Sequence, residues 1–175
     1  MIVTVMPVSG LSSNIYERGV KIAISSINKA AASGLDPGIK SINYLANIFA
    51  KAEADKKGCY EAILLGAHGE IAELSTSSFF CVIDGVVITP PIATGILPGI
   101  TRQVLLREMK RKKLPFKEAD IYPADVVRMS EAFLCSSVRG PVPITRIEKE
   151  KIGDGKVGPI FRALREIYAE ACEKG

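Results

Sequence analysis

Asp84-Gly85 stands between two apolar runs, residues 79–83 and 86–89. That dipeptide favours positive φ at both central positions of a two-residue turn, so the flanking runs are expected to pair as an antiparallel hairpin. Neighbouring segments extend the pattern. Residues 60–65 and 71–74 read as strands around a turn at 67–70, and residues 2–6, 19–24, 116–122, 132–136 and 142–147 read as further strands.

Helices are predicted around this β-rich middle. After a turn at 36–40, Ser41 is placed as an N-cap, with Ile42, Leu45, Ile48, Phe49 and Ala52 forming an apolar stripe expected to face the core. Lys56-Lys57-Gly58 supplies the cations and glycine that end a helix. Thr101 is placed as the cap of a helix over 103–112, and a short helix is expected over 124–129. A terminal helix over 158–173 aligns Ile160, Phe161, Leu164, Ile167 and Tyr168 on one face. The expected class is α+β, with a mainly antiparallel sheet or barrel surrounded by helices.

Composition excludes several functions. A net charge of +4 across 175 residues is too mild to name a polyanionic partner. The basic cluster at 107–113 has no interleaved aromatics, so nucleic-acid binding is not expected. Four cysteines without CxxC spacing and a single histidine, His68, give no metal site. The apolar stretch at 79–100 is broken by Asp84, Pro90, Pro91 and Pro98, so no membrane span is expected there. The N-terminus has no basic region and meets Pro7 early, which is unlike a signal peptide. A cytoplasmic protein is the expectation.

Four segments hold residues suited to chemistry. Lys40, at the predicted start of a helix, would feel the positive dipole end and lose its proton more readily, as a Schiff-base lysine must; a solvated lysine outside the cap explains the same position. Glu73 opens a run of hydroxyls, Leu74-Ser-Thr-Ser-Ser78, where a carboxylate can hold a ring N–H or simply face water. In Gly95-Ile-Leu-Pro-Gly-Ile-Thr101 the glycines admit close backbone approach and the N–H groups of Ile100 and Thr101 open a helix, a geometry that fits a phosphate cradle and a plain capped turn equally. Cys135-Ser-Ser137-Val138-Arg139 could add a second hydroxyl and N–H to the same anion, or end a strand. Ser26-Ile-Asn-Lys29 matches SxxK without its partner motifs, and Gly153-Asp-Gly-Lys156 lacks P-loop spacing. A lysine, an acidic residue, a phosphate-binding helix start and a hydroxyl loop are together the parts that pyridoxal phosphate requires.

The order of these segments resembles the fold-type IV pyridoxal-phosphate enzymes, the branched-chain and D-amino-acid aminotransferase family. The resemblance is carried by Ile39-Lys-Ser-Ile-Asn-Tyr-Leu45, Gly69-Glu-Ile-Ala-Glu73, Asp84-Gly-Val-Val-Ile-Thr-Pro-Pro91, Gly95-Ile-Leu-Pro-Gly-Ile-Thr-Arg102 and Ile152-Gly-Asp-Gly-Lys-Val-Gly-Pro159. It implies that Lys40 forms the internal aldimine and moves the α-proton, and that Glu73 keeps the pyridine nitrogen protonated. Tyr44 would bond the phenolate oxygen and Leu97 would pack on the ring. Ile100, Thr101 and Ser137 would hold the phosphate, with Val138 beside the substrate carboxylate.

By the same resemblance an amino group passes from an amino acid to a 2-oxo acid, and the chain is a homodimer. Residues 1–14 then match the last strand of a small N-terminal domain plus the connector, and residues 15–175 the cofactor-binding large domain. The rest of the small domain is absent or supplied by a separate chain. Ser77 stands where branched-chain enzymes carry a second glutamate, as in the D-amino-acid subgroup. The alternatives are an aminodeoxychorismate lyase of the same family and a non-catalytic cofactor-binding or partner subunit.

Overall fold

The computed structural model describes residues 3–5, 14–29 and 38–173. Among these residues four α-helices, α1 (Asn14–Arg18), α2 (Leu45–Lys56), α3 (Ile100–Arg111) and α4 (Pro159–Glu173), accompany nine strands. The strands are β1 (Val20–Asn28), β2 (Glu61–Leu65), β3 (Ile71–Leu74), β4 (Ser78–Ile83), β5 (Val86–Thr89), β6 (Phe116–Glu118), β7 (Glu131–Ser136), β8 (Gly140–Ile147) and β9 (Glu150–Lys151). They form one sheet in the order β3-β2-β1-β8-β7-β4-β5-β6, with β9 paired to β8. Pairings of β1 with β2, β1 with β8 and β5 with β6 are parallel, and the other five are antiparallel. The class is α+β, as the sequence predicts.

Chain connectivity forces the sheet to curl. β3 is an edge strand, yet Ser75, Thr76 and Ser77 alone carry the chain from its end into β4, five strand positions away. In a flat sheet that step is about 24 Å at the usual strand spacing. The linking residues reach about 14 Å at full extension. The sheet therefore bends into a half-barrel that brings β3 and β4 together, and the hydroxyl run sits at the closure.

Side-chain alternation fills both faces. Along β4, Phe79, Cys81 and Ile83 enter the cluster that includes Ile22, Ile63, Leu134 and Val142, while Phe80 and Val82 join Leu105, Met109, Phe133, Phe161 and Leu164 beneath α3 and α4. Phe80 stacks on Phe133 with centroids 4.9 Å apart. At the hairpin, Asp84 and Gly85 take φ of 52° and 76°, the expected conformation. The expected face of α4 buries Phe161, Leu164 and Ile167. Its N-terminus is tied to β7 by Glu131, whose carboxylate accepts from the N–H groups of Ile160 (2.9 Å) and Phe161 (2.7 Å).

Several boundaries differ from expectation. Residues 3–5 form no strand, and the rest of segments 2–6 and 7–14, apart from Asn14 at the start of α1, lies outside the described residues. The strand expected over 116–122 stops at Glu118, and the helix expected over 124–129 is a 3-10 turn, Pro123–Arg128. The larger correction concerns α2. Ser41 does not cap it: Tyr44 occupies the N-cap position without a side-chain bond. The predicted core stripe instead faces outward, with Ile42, Leu45, Ile48 and Phe49 all more than half exposed. Ala50 and Ala54 are buried in their place, against Ala23, Ala62 and Leu64 of β1 and β2. Small residues let the helix approach the strands closely, and Glu53 fastens it by accepting from Ser25 Oγ (2.7 Å) and the Ser26 N–H (2.9 Å).

Candidate active site

The hydroxyl turn between β3 and β4 is the hub of the site. Ser75 is fully buried, and its carbonyl accepts from the Tyr44 hydroxyl (3.1 Å) and from Asn47 Nδ2 (2.8 Å). Tyr44 stands immediately before α2, with Lys40 Nζ 5.8 Å from its ring centroid. Lys40 is exposed and lies four residues ahead of the N-cap position, so the dipole argument for its reactivity loses its geometric basis. Burial, followed by the Glu73 and Glu61 carboxylates, raises the pKa of the Tyr44 phenol, against an opposing effect of Arg139.

Glu73, two residues upstream on β3, is nearly buried at 9% exposure. One carboxylate oxygen accepts from the Leu97 backbone N–H at 3.1 Å, and the other pairs with Lys29 Nζ. The carboxylate thus faces the glycine-rich segment and engages a cation drawn largely out of water. The Lys29 pairing was not expected; its only sequence signal was an SxxK match of no significance.

The glycine-rich segment leads straight into α3. Gly99, with extended dihedrals of −61° and 135°, is the N-cap, and the helix begins at Ile100 rather than 103. Thr101 is accordingly not the cap but the second helical residue, and it is buried. The first bond of the helix runs from the Gln103 N–H to the Gly99 carbonyl (3.0 Å), so the N–H groups of Ile100 and Thr101 precede the intrahelical ladder. A Cβ on Gly99 would stand 3.0 Å from Ser78 Oγ, so the backbone runs close to the β4 hydroxyl there. An anion-binding helix start with a close glycine suits a phosphate.

Ser137 and Val138 sit in the β7–β8 turn, both exposed. Their link to the hub is Arg139, whose Nη1 pairs with the wholly buried carboxylate of Glu61. Glu61 was not singled out in the sequence, although it is a lone charge in an otherwise apolar strand, which is the signal that marks it. The structure therefore joins Glu73 to Leu97 by a direct bond and Leu97 to Gly99 before α3, while Tyr44, with Lys40 beside it, reaches the same region through the Ser75 carbonyl two residues beyond Glu73. Ser137 and Val138 attach through Arg139. An amine, a phenol, a near-buried carboxylate and an anion-binding helix start are the donor set that pyridoxal phosphate needs, so the residues present fit that group.

Residues 1–147 match the family model for amino-transferase class IV. The chain belongs to the class IV aminotransferase family. Among relatives, a D-alanine aminotransferase of Listeria monocytogenes is 39% identical over 132 residues, covering 75% of this chain and 45% of the relative. The branched-chain-amino-acid aminotransferase of Escherichia coli is 28% identical over 159 residues, 90% of this chain and 52% of the relative. The solved T.th. branched-chain amino acid aminotransferase with pyridoxamine 5'-phosphate superposes with a TM-score of 0.86 at 29% identity, covering 93% of this chain and 53% of that one. This class IV chain spans about half the length of the relatives it matches. Among its described residues no helix is long and apolar enough to cross a membrane, and no group of three or more His, Cys, Asp or Glu is placed to hold a metal.

Proposed function

We propose that residues 15–175 form the pyridoxal-phosphate-binding unit of an aminotransferase that exchanges an amino group between an amino acid and a 2-oxo acid. The observation that carries this reading is the Glu73 carboxylate, which bridges a partly buried cation and the Leu97 N–H just ahead of the start of α3. When bound, pyridoxal phosphate supplies a ring that accepts the electron pair left by removal of the substrate α-proton. Lys40 Nζ would hold the cofactor at its aldehyde carbon, displacing that oxygen as water, and would carry the α-proton. Glu73 holds the proton at the ring nitrogen, as it holds the Lys29 ammonium here. The N–H groups of Ile100 and Thr101, with Ser137, hold the phosphate. Leu97 lies against the ring, Tyr44 offers its hydroxyl to the phenolate oxygen, and Val138 flanks the substrate carboxylate.

Relatives named for branched-chain amino acids and for D-alanine bracket the donor class. Ser77 supports the D-amino-acid side of that range, because its hydroxyl is bound to Glu61 at 3.0 Å in place of a further acid. The site lies beside a solvent-facing row of Ile39, Ile42, Leu45, Ile48 and Phe49. A row of that size supports burial against another polypeptide, a second copy in a homodimer or a separate small-domain chain.

The test is chemical. Borohydride reduction of the cofactor-loaded protein, then peptide mapping, should place the pyridoxyl group on Lys40. An adduct on Lys29, on another lysine, or on none removes the assignment.

A further inference from the structure

The Tyr44 hydroxyl has a single proton, and it is given to the Ser75 carbonyl. In the reading of Tyr44 as a cofactor contact, on which this inference rests, that proton must turn to a ligand oxygen. A turn held only by Tyr44 would shift once the bond was given up. The structure shows two other sets of anchors. Asn47 Nδ2 donates to the same carbonyl at 2.8 Å, so the carbonyl keeps a partner when Tyr44 leaves. From below, the Glu61 carboxylate accepts from the Thr76 N–H (3.2 Å), from Ser75 Oγ (3.4 Å), from Ser77 Oγ (3.0 Å) and from Thr76 Oγ1.

Glu61 has no exposed surface, and an ionised carboxylate there needs a counter-charge as well as donors. Arg139 Nη1 provides it, with the guanidinium 5.3 Å from the Tyr60 ring centroid and the Arg139 carbonyl accepting from the Tyr16 hydroxyl at 2.8 Å. The arrangement accounts for the whole hydroxyl run at 75–77, which the cofactor contacts leave unused.

We propose that Glu61, pinned by Arg139, and Asn47 are positioning residues that fix the 75–77 turn independently of Tyr44, leaving its hydroxyl able to swing from Ser75 to a ligand oxygen. None of the three needs to touch the cofactor. The charged groups that bear on the phenol are Lys40 from the lead-in to α2, Glu73 from β3 with Lys29 paired to it, Glu61 from β2 and Arg139 from the β7–β8 turn.

The experiment is a pH titration of the chain labelled with ring-13C tyrosine, with the Tyr44 resonance assigned by Tyr44→Phe, first without and then with added pyridoxal phosphate. Without cofactor, Glu61→Gln should lower the Tyr44 midpoint and Arg139→Met should raise it, while Arg139→Lys stays close to the parent. Asn47→Ala disturbs no buried charge. It should raise the midpoint, because Ser75 becomes a stronger acceptor for Tyr44 alone, and should weaken cofactor binding while the chain still unfolds in one cooperative transition.

A Tyr44 midpoint unmoved in Asn47→Ala, and in whichever Glu61 and Arg139 variants fold, would overturn the proposal and leave a purely structural ion pair. Failure of the Lys40 reading would look different: the parent protein would show no absorbance from lysine-bound cofactor, while the cofactor-free titration would still decide the roles of Glu61, Arg139 and Asn47.

Discussion

Replacing Glu131 with alanine should loosen α4 and, through it, α3, whose start is proposed to hold the phosphate. The Glu131 carboxylate is nearly buried and takes the N–H groups of Ile160 and Phe161 at 2.9 and 2.7 Å. Hydrogen bonds to a charged group contribute about 1.5–3 kcal/mol each, and two that share one carboxylate are not fully additive. A loss of about 3–4 kcal/mol follows for Glu131→Ala, including the favourable placement of an anion at a helix N-terminus. For a chain of this length that corresponds to a fall in Tm of about 6–16 °C.

Glu131→Gln retains one acceptor oxygen and should lose about half as much. Gly158→Ala gives an independent check, because its Cβ would lie 2.1 Å from Glu131 Cδ and must push the carboxylate aside. Urea or thermal unfolding followed by circular dichroism reads all three. Equal losses for Ala and Gln, or a loss below about 0.5 kcal/mol for Ala, would refute the assignment of Glu131 as the remote cap of α4.

Other consequences can be checked directly. Burial pushes the Cys81 and Cys135 thiols up to about 12 from an ordinary 9.0, so both stay protonated in the fold after they would ionise in the unfolded chain. Their contribution is complete below pH 9 and is lost as pH rises toward 12; denaturation series across that range should show falling stability, with a shallower fall in Cys81→Ala. With a thiol reagent at neutral pH, Cys172, exposed at the end of α4, should react first, and Cys81 and Cys135 only on unfolding. Glu73→Gln should leave cofactor attachment to lysine intact and slow transamination by about 100-fold, measured by 2-oxo acid formation in an active preparation; normal turnover would exclude the ring contact. Ile48→Glu should shift the protein toward a smaller species in light scattering, and an unchanged mass would show that the outward row on α2 is not an interface.

Much of this arrangement is legible in the sequence where one local rule decides. Asp84-Gly85 dictates its own backbone, and α4 shows a helical row of large apolar residues that finds a core. The same rule fails on α2, because periodicity tracks large side chains and the buried face there is alanine. Ala50 and Ala54 pack on Ala23 and Ala62, a match made across a helix and two strands that the periodicity of α2 alone does not show. The large residues on the other side mark a surface, not the interior. Thr101 misleads for a related reason: its residue type suits a cap, but the extended backbone of Gly99 already ends the turn there.

Within the proposed site, Lys40, Tyr44, Glu73, Leu97, Ile100 and Thr101 are candidates from the sequence because each lies in a short local motif. The supports are not. Lys29 meets Glu73 across 44 residues, and Arg139 meets Glu61 across 78. Both pairings depend on the curl of the sheet, which no single segment encodes.

The central claim is that Lys40 is the amine of a pyridoxal-phosphate site, and an absorption titration of the protein with pyridoxal phosphate, parent against Lys40→Ala, tests it most directly. A saturable band from lysine-bound cofactor in the parent, lost in Lys40→Ala, is the predicted result. A band of equal strength in both proteins would contradict it and move the attachment to another lysine, with Lys29, already at the Glu73 carboxylate, the first to examine.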